Sequence, residues 1–323
     1  MPRAVDWMER HQVAIYVSAL AVGVAIGKAA PGAGSGLEHA INPVLGALLY
    51  VTFLQVPAAQ LIRSVRGGRF LAAALTVNFV VVPAVVAAMF WTLPADDAVR
   101  IGVLLVLLCP CVDYVIVFSG LAGGSSRRLL AATPVLLVVQ MLLLPVWLYA
   151  FIGPDLSHIV KFSPFLTALL FLIVIPLILA WSTQAWAGRA PAGRTVTTIA
   201  TAMMAPLLAA TLIVVVASQV PKVGGEMRDV ARVVPFYVVF LVVMAFAGKV
   251  IARLYRLDVP ASRSIVFTGA TRNSLVVLPL ALALPDALAI AAVVVVAQTL
   301  VEVLGMLTYV RLVPRLVPAG RGG

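Results

Sequence analysis

The chain has 323 residues, 63% hydrophobic and 11% charged, with a formal net charge of +11 and a mean hydropathy of +1.12. A soluble domain carries roughly 25% charged residues, so a water-soluble globular protein is excluded and a polytopic membrane protein is indicated. The basic excess falls in short clusters between apolar runs, with no basic helix or aromatic-basic motif, so it marks membrane topology and not a nucleic-acid partner.

A membrane-spanning helix needs about 20 mainly apolar residues. By that measure the sequence predicts spans near 12–29, 43–62, 70–92, 99–121, 129–151, 164–184, 195–217, 233–253, 262–283 and 287–311. Arg3 and Arg10 precede the apolar run from Val13 to Ile26 in the manner of a signal peptide, and the ten-span topology retains this run as its first helix. Every connection is short, which leaves no room for a soluble domain. With a cytoplasmic N-terminus, sixteen of the 23 basic residues fall on the cytoplasmic side and six outside, with Arg272 left within the membrane. That asymmetry places both termini in the cytoplasm of a cell whose inner (plasma) membrane holds the protein.

Ten helices divide into five and five, residues 1–152 and 153–323. An odd number per half forces the second half to enter from the opposite side, which is the arrangement of an inverted repeat. The fourth span of each half carries a break. Asp113 lies in Leu108-Cys109-Pro110-Cys111-Val112-Asp113-Tyr114, and Arg272 in Thr268-Gly269-Ala270-Thr271-Arg272-Asn273-Ser274. A charge near the bilayer centre costs about 2.5–3.5 kcal/mol even on lenient insertion scales, so it normally faces a partner or a watery cavity. Interrupted helices at matching positions of two halves point to the central binding site of a secondary transporter. Pro83, Pro145, Pro176, Pro206 and Pro279 read instead as ordinary prolines of membrane helices.

Pro110 lacks an N–H and crowds the preceding turn, and Gly269 is the expected helix-breaking residue of the other half. The carbonyls so released need partners in the protein or a water-lined cavity. Asp113 can carry a proton, coordinate a cation or neutralise Arg272. Cys109 and Cys111 are either small buried hydrophobes or soft ligands for a thiophilic solute. Arg272 reads as an anion clamp or as a structural ion pair with Asp113. Asn273, Ser274, Thr271 and Thr268 can supply hydrogen bonds. Glu302 and Gln298, four apart on the tenth helix, either form a proton or cation relay or let Glu302 snorkel to the cytoplasmic interface beside Arg311. Gln55, Asn78 and Gln140 read as interhelical hydrogen-bonding residues.

Enzyme motifs are missing. There is no HExxH or GxSxG, and His11, His39 and His158 lie near span ends. Two cysteines separated by one proline neither pair easily nor form a metal-ligand spacing, so no metal site, catalytic residue or cofactor is expected.

The segment Cys111-Val112-Asp113-Tyr114-Val115-Ile116-Val117-Phe118, followed by Leu121-Ala122-Gly123-Gly124, resembles the fourth-helix pattern of the bile acid:sodium symporter superfamily, and within it the Acr-type arsenite efflux permeases. That pattern is a cysteine, two variable residues, methionine, then Val-x-Val-Trp, and it places the family's functional cysteine on Cys111. Ala270 to Ala283 resembles the ninth-helix pattern Ala-Ser-Asn-Asn-Phe-Glu, with Asn273 at the second asparagine. Here the family's glutamate position is Leu275, Arg272 replaces an asparagine, and Asp113 occupies a position that is usually small and uncharged. The resemblance implies a core domain with crossed helices four and nine, and a panel domain from the helices at 12–29, 43–62, 164–184 and 195–217. It also implies a secondary transporter of a small molecule or oxyanion, arsenite above all, coupled to protons or sodium. Two readings of the departures stand side by side. Either the proton-carrying acid has moved to Asp113, giving a proton-coupled arsenite efflux permease, or the chain carries a small organic anion bound by Arg272.

Overall fold

The computed structural model describes residues 11–55, 68–112, 114–153, 170–282 and 284–319. Among them are thirteen α-helices and no β-strand element. The chain divides into two compact units, Met1–Pro57 with Phe162–Met227 and Ala58–Lys161 with Arg228–Gly323.

The first unit holds α1 (Gln12–Ala29), α2 (Gly34–Leu54), α8 (Ile175–Ala187), α9 (Pro191–Ala202) and the start of α10 (Met204–Leu254). α1 ends just before Pro31, and α9 begins on Pro191, where a missing N–H is harmless. Gly23 and Gly27, one turn apart, let α1 approach α10: an added Cβ at either would lie 2.8 Å from the Cβ of Val216 or Val220. Such small residues allow the backbone approach by which membrane helices associate. The end of α2 is closed by Gln184, whose amide donates to the carbonyls of Phe53 (3.2 Å) and Leu54 (3.0 Å). Tyr50 and Thr183 share a 3.0 Å hydroxyl hydrogen bond.

The second unit contains α3 (Gly68–Thr76) and α4 (Val82–Phe90), joined by a π-helical turn at Val77–Val81. Pro83 follows that turn directly. Proline cannot bond to the carbonyl four residues back and crowds it, and the wider turn accommodates this without ending the helix. A second π turn, Leu170–Val174, precedes Pro176 in the first unit in the same way. Next come α5 (Asp97–Leu107), α6 (Tyr114–Leu121) and α7 (Ser126–Ile152), then α11 (Val259–Ala270), α12 (Ser274–Leu282) and α13 (Ile290–Leu316). Asp96 caps α5 through the N–H of Val99 at 2.9 Å. Asp258 caps α11 through that of Ala261 at 2.9 Å. α13 packs along α5 and α12; Gly102 of α5 sits so close that a Cβ would meet the Ala291 carbonyl at 2.8 Å.

Among the described residues six helices are long and apolar enough to cross a membrane: Gly36–Leu54, Gly68–Phe90, Ser126–Ile152, Met204–Pro221, Ala231–Leu254 and Ile290–Leu316; Ala14–Ala29 is a shorter apolar helix. Large apolar side chains such as Leu142, Phe246 and Leu304 are exposed on them, as expected of surfaces that face lipid. The spans expected at 99–121 and 262–283 are each interrupted, as α5/α6 and α11/α12. The connection between the spans expected at 195–217 and 233–253 is itself helical, within α10; two glycines there carry a helix penalty of only about 1 kcal/mol each. Within the first of those spans the chain does break, at Met203 between α9 and α10.

Candidate functional site

The residues of the candidate site lie in the second unit. α5 ends at Leu107, and Leu108 closes its last turn with an N–H donated to the Leu104 carbonyl at 3.1 Å. α11 ends when Thr271 turns to extended backbone. The two breaks then pair as short antiparallel segments, with Pro110 opposite Arg272. The Cys111 N–H donates to the Thr271 carbonyl at 3.1 Å, and the Asn273 N–H to the Cys109 carbonyl at 2.8 Å. Pro110 and Arg272 are therefore a non-hydrogen-bonded pair, the register in which neither residue's N–H is needed by the ladder. That is why proline is tolerated at the centre of this bridge. The crossing re-satisfies backbone groups that two broken membrane helices would otherwise strand.

Arg272 heads the largest fully buried side chains, with 0% exposure. Its Nη2 donates to the carbonyls of Thr268 (2.6 Å) and Gly269 (2.8 Å) and to Oδ1 of Asn78 (2.7 Å). Its Nη1 donates to the Leu107 carbonyl at 3.2 Å. The guanidinium carbon lies 5.6 Å from the Phe240 ring centroid, a cation–π contact. One cation thus closes the C-terminal ends of α5 and α11, where the helix dipoles concentrate negative charge. Asn78 sits on the π turn and is held by its own amide, which donates to the Ala74 carbonyl (2.9 Å) and Thr268 Oγ1 (3.2 Å). Gly269 is not the break itself; it lies in the last turn of α11, where a Cβ would meet Val77 Cγ2 at 2.8 Å.

The acidic residue of the site is Glu302, on α13 and 1% exposed. Tyr114, the first residue of α6, donates its hydroxyl to Oε1 at 2.6 Å, and the Arg272 backbone N–H donates to Oε2 at 2.7 Å. The Gln298 amide also donates to Oε2. Glu302 therefore faces the N-terminal ends of α6 and α12 while the guanidinium faces the C-terminal ends of α5 and α11. Each charge meets the helix ends of opposite polarity. The snorkelling alternative for Glu302 is set aside by this burial.

Asn273 caps α12, its Oδ1 accepting from the Val276 N–H at 3.1 Å. The Thr299 hydroxyl of α13 donates to Ser274 Oγ at 2.7 Å. Cys109 and Cys111 are buried thiols of the crossing. Asn273 Nδ2, Gln298 Oε1 and Arg272 Nε are buried with no partner among the described residues, and such groups in a native interior call for an explanation. Asp113, and with it the expected Asp113–Arg272 pair, lies outside the described residues.

The structure thus gathers Arg272, Asn273, Ser274, Cys109, Cys111, Gln298 and Glu302 at one crossing. Sequence reasoning did not assign Asn78, Tyr114 or Phe240 to it. Asn78 carried a signal, an amide deep in an apolar run one turn before a proline; Phe240 carried none.

A model of the Sodium Bile acid symporter family matches residues 42–224, more than half of the chain. The matched segment contains the first break but stops short of the second. No curated protein matches the chain.

Proposed function

We propose that this chain, which belongs to the Sodium Bile acid symporter family and is a membrane-embedded secondary transporter, exports trivalent arsenic as arsenite in exchange for protons. The observation that carries the reading is the placing of two thiols and a buried carboxylate at one crossing of broken helices. Cys109 and Cys111 are two residues apart on the extended segment, and extended backbone projects alternate side chains to one side. A thiol suits a thiophilic centre that oxygen ligands hold weakly. Binding at Cys111 forms an As–S bond and breaks an As–O bond. The displaced hydroxyl leaves as water with the thiol proton, and release reverses the step.

Glu302 is the proton carrier of this reading, with Asp113, two residues after Cys111 in the sequence, as a second carboxyl. As a carboxylate, Glu302 accepts three hydrogen bonds that tie α13 to both broken helices. Protonation of Oε2 turns an acceptor into a donor, so the Gln298 amide must rotate and present its oxygen, which has no partner among the described residues. One proton thus rearranges the contacts at the crossing, as alternating access demands. The ninth-helix acid of the family pattern is Leu275 here, and Glu302 supplies a carboxyl to the same crossing from the tenth helix. The pairing of the two breaks supports two inverted five-helix repeats. The unit Met1–Pro57 with Phe162–Met227 supports the panel, and the sixteen-to-six basic split supports cytoplasmic termini in the plasma membrane.

The test is arsenite flux in proteoliposomes under an imposed pH gradient. Cys111→Ser abolishes flux in a folded protein, and Cys109→Ser reduces it less. Normal flux by Cys111→Ser refutes the cargo. Flux of an organic anion, not competed by arsenite and weakened by Arg272→Gln, replaces this reading with the anion carrier.

A further inference from the structure

We infer that Arg272 is a tethered cation occupying the oxygen cage where a family named for sodium would seat that ion, and that this chain binds no sodium there and needs none. The inference rests on family membership and geometry and is independent of the cargo.

Broken-helix transporters offer sodium the C-terminal ends of half-helices and their unwound carbonyls, and a hard cation prefers oxygen ligands. The oxygens in those places here are the carbonyls of Leu107, Thr268 and Gly269, with Asn78 Oδ1 alongside. All four already accept from one guanidinium, at 2.6–3.2 Å. Nη2 has two protons for three of these acceptors, so at least one proton is shared and the oxygens converge on the one cation. The side chain is fully buried, held against Phe240, and carries a charge that is never given up. A sodium ion bound to the same oxygens would lie in contact with that charge, in surroundings that screen little. The residues present do not fit the ion.

The position of the charge also explains why it is an arginine. A forked, planar head reaches carbonyls from two different helix ends at once, whereas an ammonium is a single point donor. Both Nη atoms are engaged with neutral oxygens, which leaves Nε and one Nη1 proton as the donors an anion would meet.

The experiment is thermal unfolding of the purified full-length protein as sodium chloride is replaced stepwise by N-methyl-D-glucamine chloride at constant ionic strength. The wild-type curves are expected to superimpose. A saturable rise of the midpoint with sodium would overturn the inference. Arg272→Ala empties the cage, so its midpoint falls and is restored saturably by sodium or by millimolar guanidinium. A folded Arg272→Ala that responds to neither ion also overturns it. The wild-type arm decides the question by itself if the variant does not fold. Because no cargo is present, a failure here is distinct from a failure of the arsenite reading.

Discussion

Replacing Tyr114 with phenylalanine deletes one oxygen and leaves the ring, its 6.2 Å edge contact with Phe118 included, so the change creates almost no cavity. What it removes is the 2.6 Å donor to Glu302 Oε1. Side-chain hydrogen bonds between membrane helices average only about 0.6 kcal/mol and reach about 1.7, while bonds to charged groups contribute about 1.5–3 kcal/mol. Glu302 is ionisable and fully buried, and its other two donors both go to Oε2, so the upper part of the membrane range applies. A coupling of about 1.5 kcal/mol is expected between Tyr114→Phe and Glu302→Leu in a double-mutant cycle. The assay is unfolding by sodium dodecyl sulfate in mixed micelles, followed by circular dichroism. A coupling below about 0.3–0.5 kcal/mol, the scatter found for distant independent sites, would refute the carboxylate network.

Three further outcomes are expected. The pairing of Asp113 with Arg272 expected from the sequence, for which Nε is the nitrogen left without a partner among the described residues, predicts that Asp113→Asn and Arg272→Gln each harm stability or transport and that the double change is milder than their sum; strict additivity in the same titration refutes the pairing. Asp258, paired with Arg128 at 2.8 Å, is held below the usual carboxylate range first by the Arg128 hydrogen bond. Its contribution is therefore complete above the unfolded value and lost as pH falls through the lowered folded one. Both partners are half-exposed (46% and 52%), so the loss stays under about 1 kcal/mol and is screened by salt; Asp258→Asn, which keeps the helix cap, should flatten the acid limb of a stability-against-pH curve. For topology, a cysteine at Ala95 labels with an impermeant thiol reagent from outside and one at Gly188 only from inside, with Cys109 and Cys111 both replaced by serine; the opposite pattern inverts the orientation.

The breaks were legible because a charge within an apolar run of spanning length is conspicuous, and Pro110 and Thr271–Asn273 flank such charges. Their antiparallel register was not legible, since backbone pairing leaves no trace in side-chain identity. The partners of Arg272 escaped for the same reason: every residue has a carbonyl, so the three that accept from it have no distinguishing sequence. Asn78 was read as a generic interhelical donor; only the π turn shows that it is aimed at Arg272. Glu302 was left between relay and snorkelling, yet its place near the middle of Ile290–Leu316 puts it too deep to reach an interface. The uninterrupted α10 was missed because Gly224 and Gly225 disfavour helix too weakly to end one.

A proton at Glu302 drives the cargo in the proposed mechanism. Its most direct test is arsenite accumulation by everted vesicles or proteoliposomes with and without an imposed pH gradient, for the wild type and for Glu302→Gln. The wild type should accumulate arsenite against its gradient only while the pH gradient lasts, and Glu302→Gln should merely equilibrate it, indifferent to pH. Gradient-driven accumulation that survives Glu302→Gln undiminished would contradict the claim.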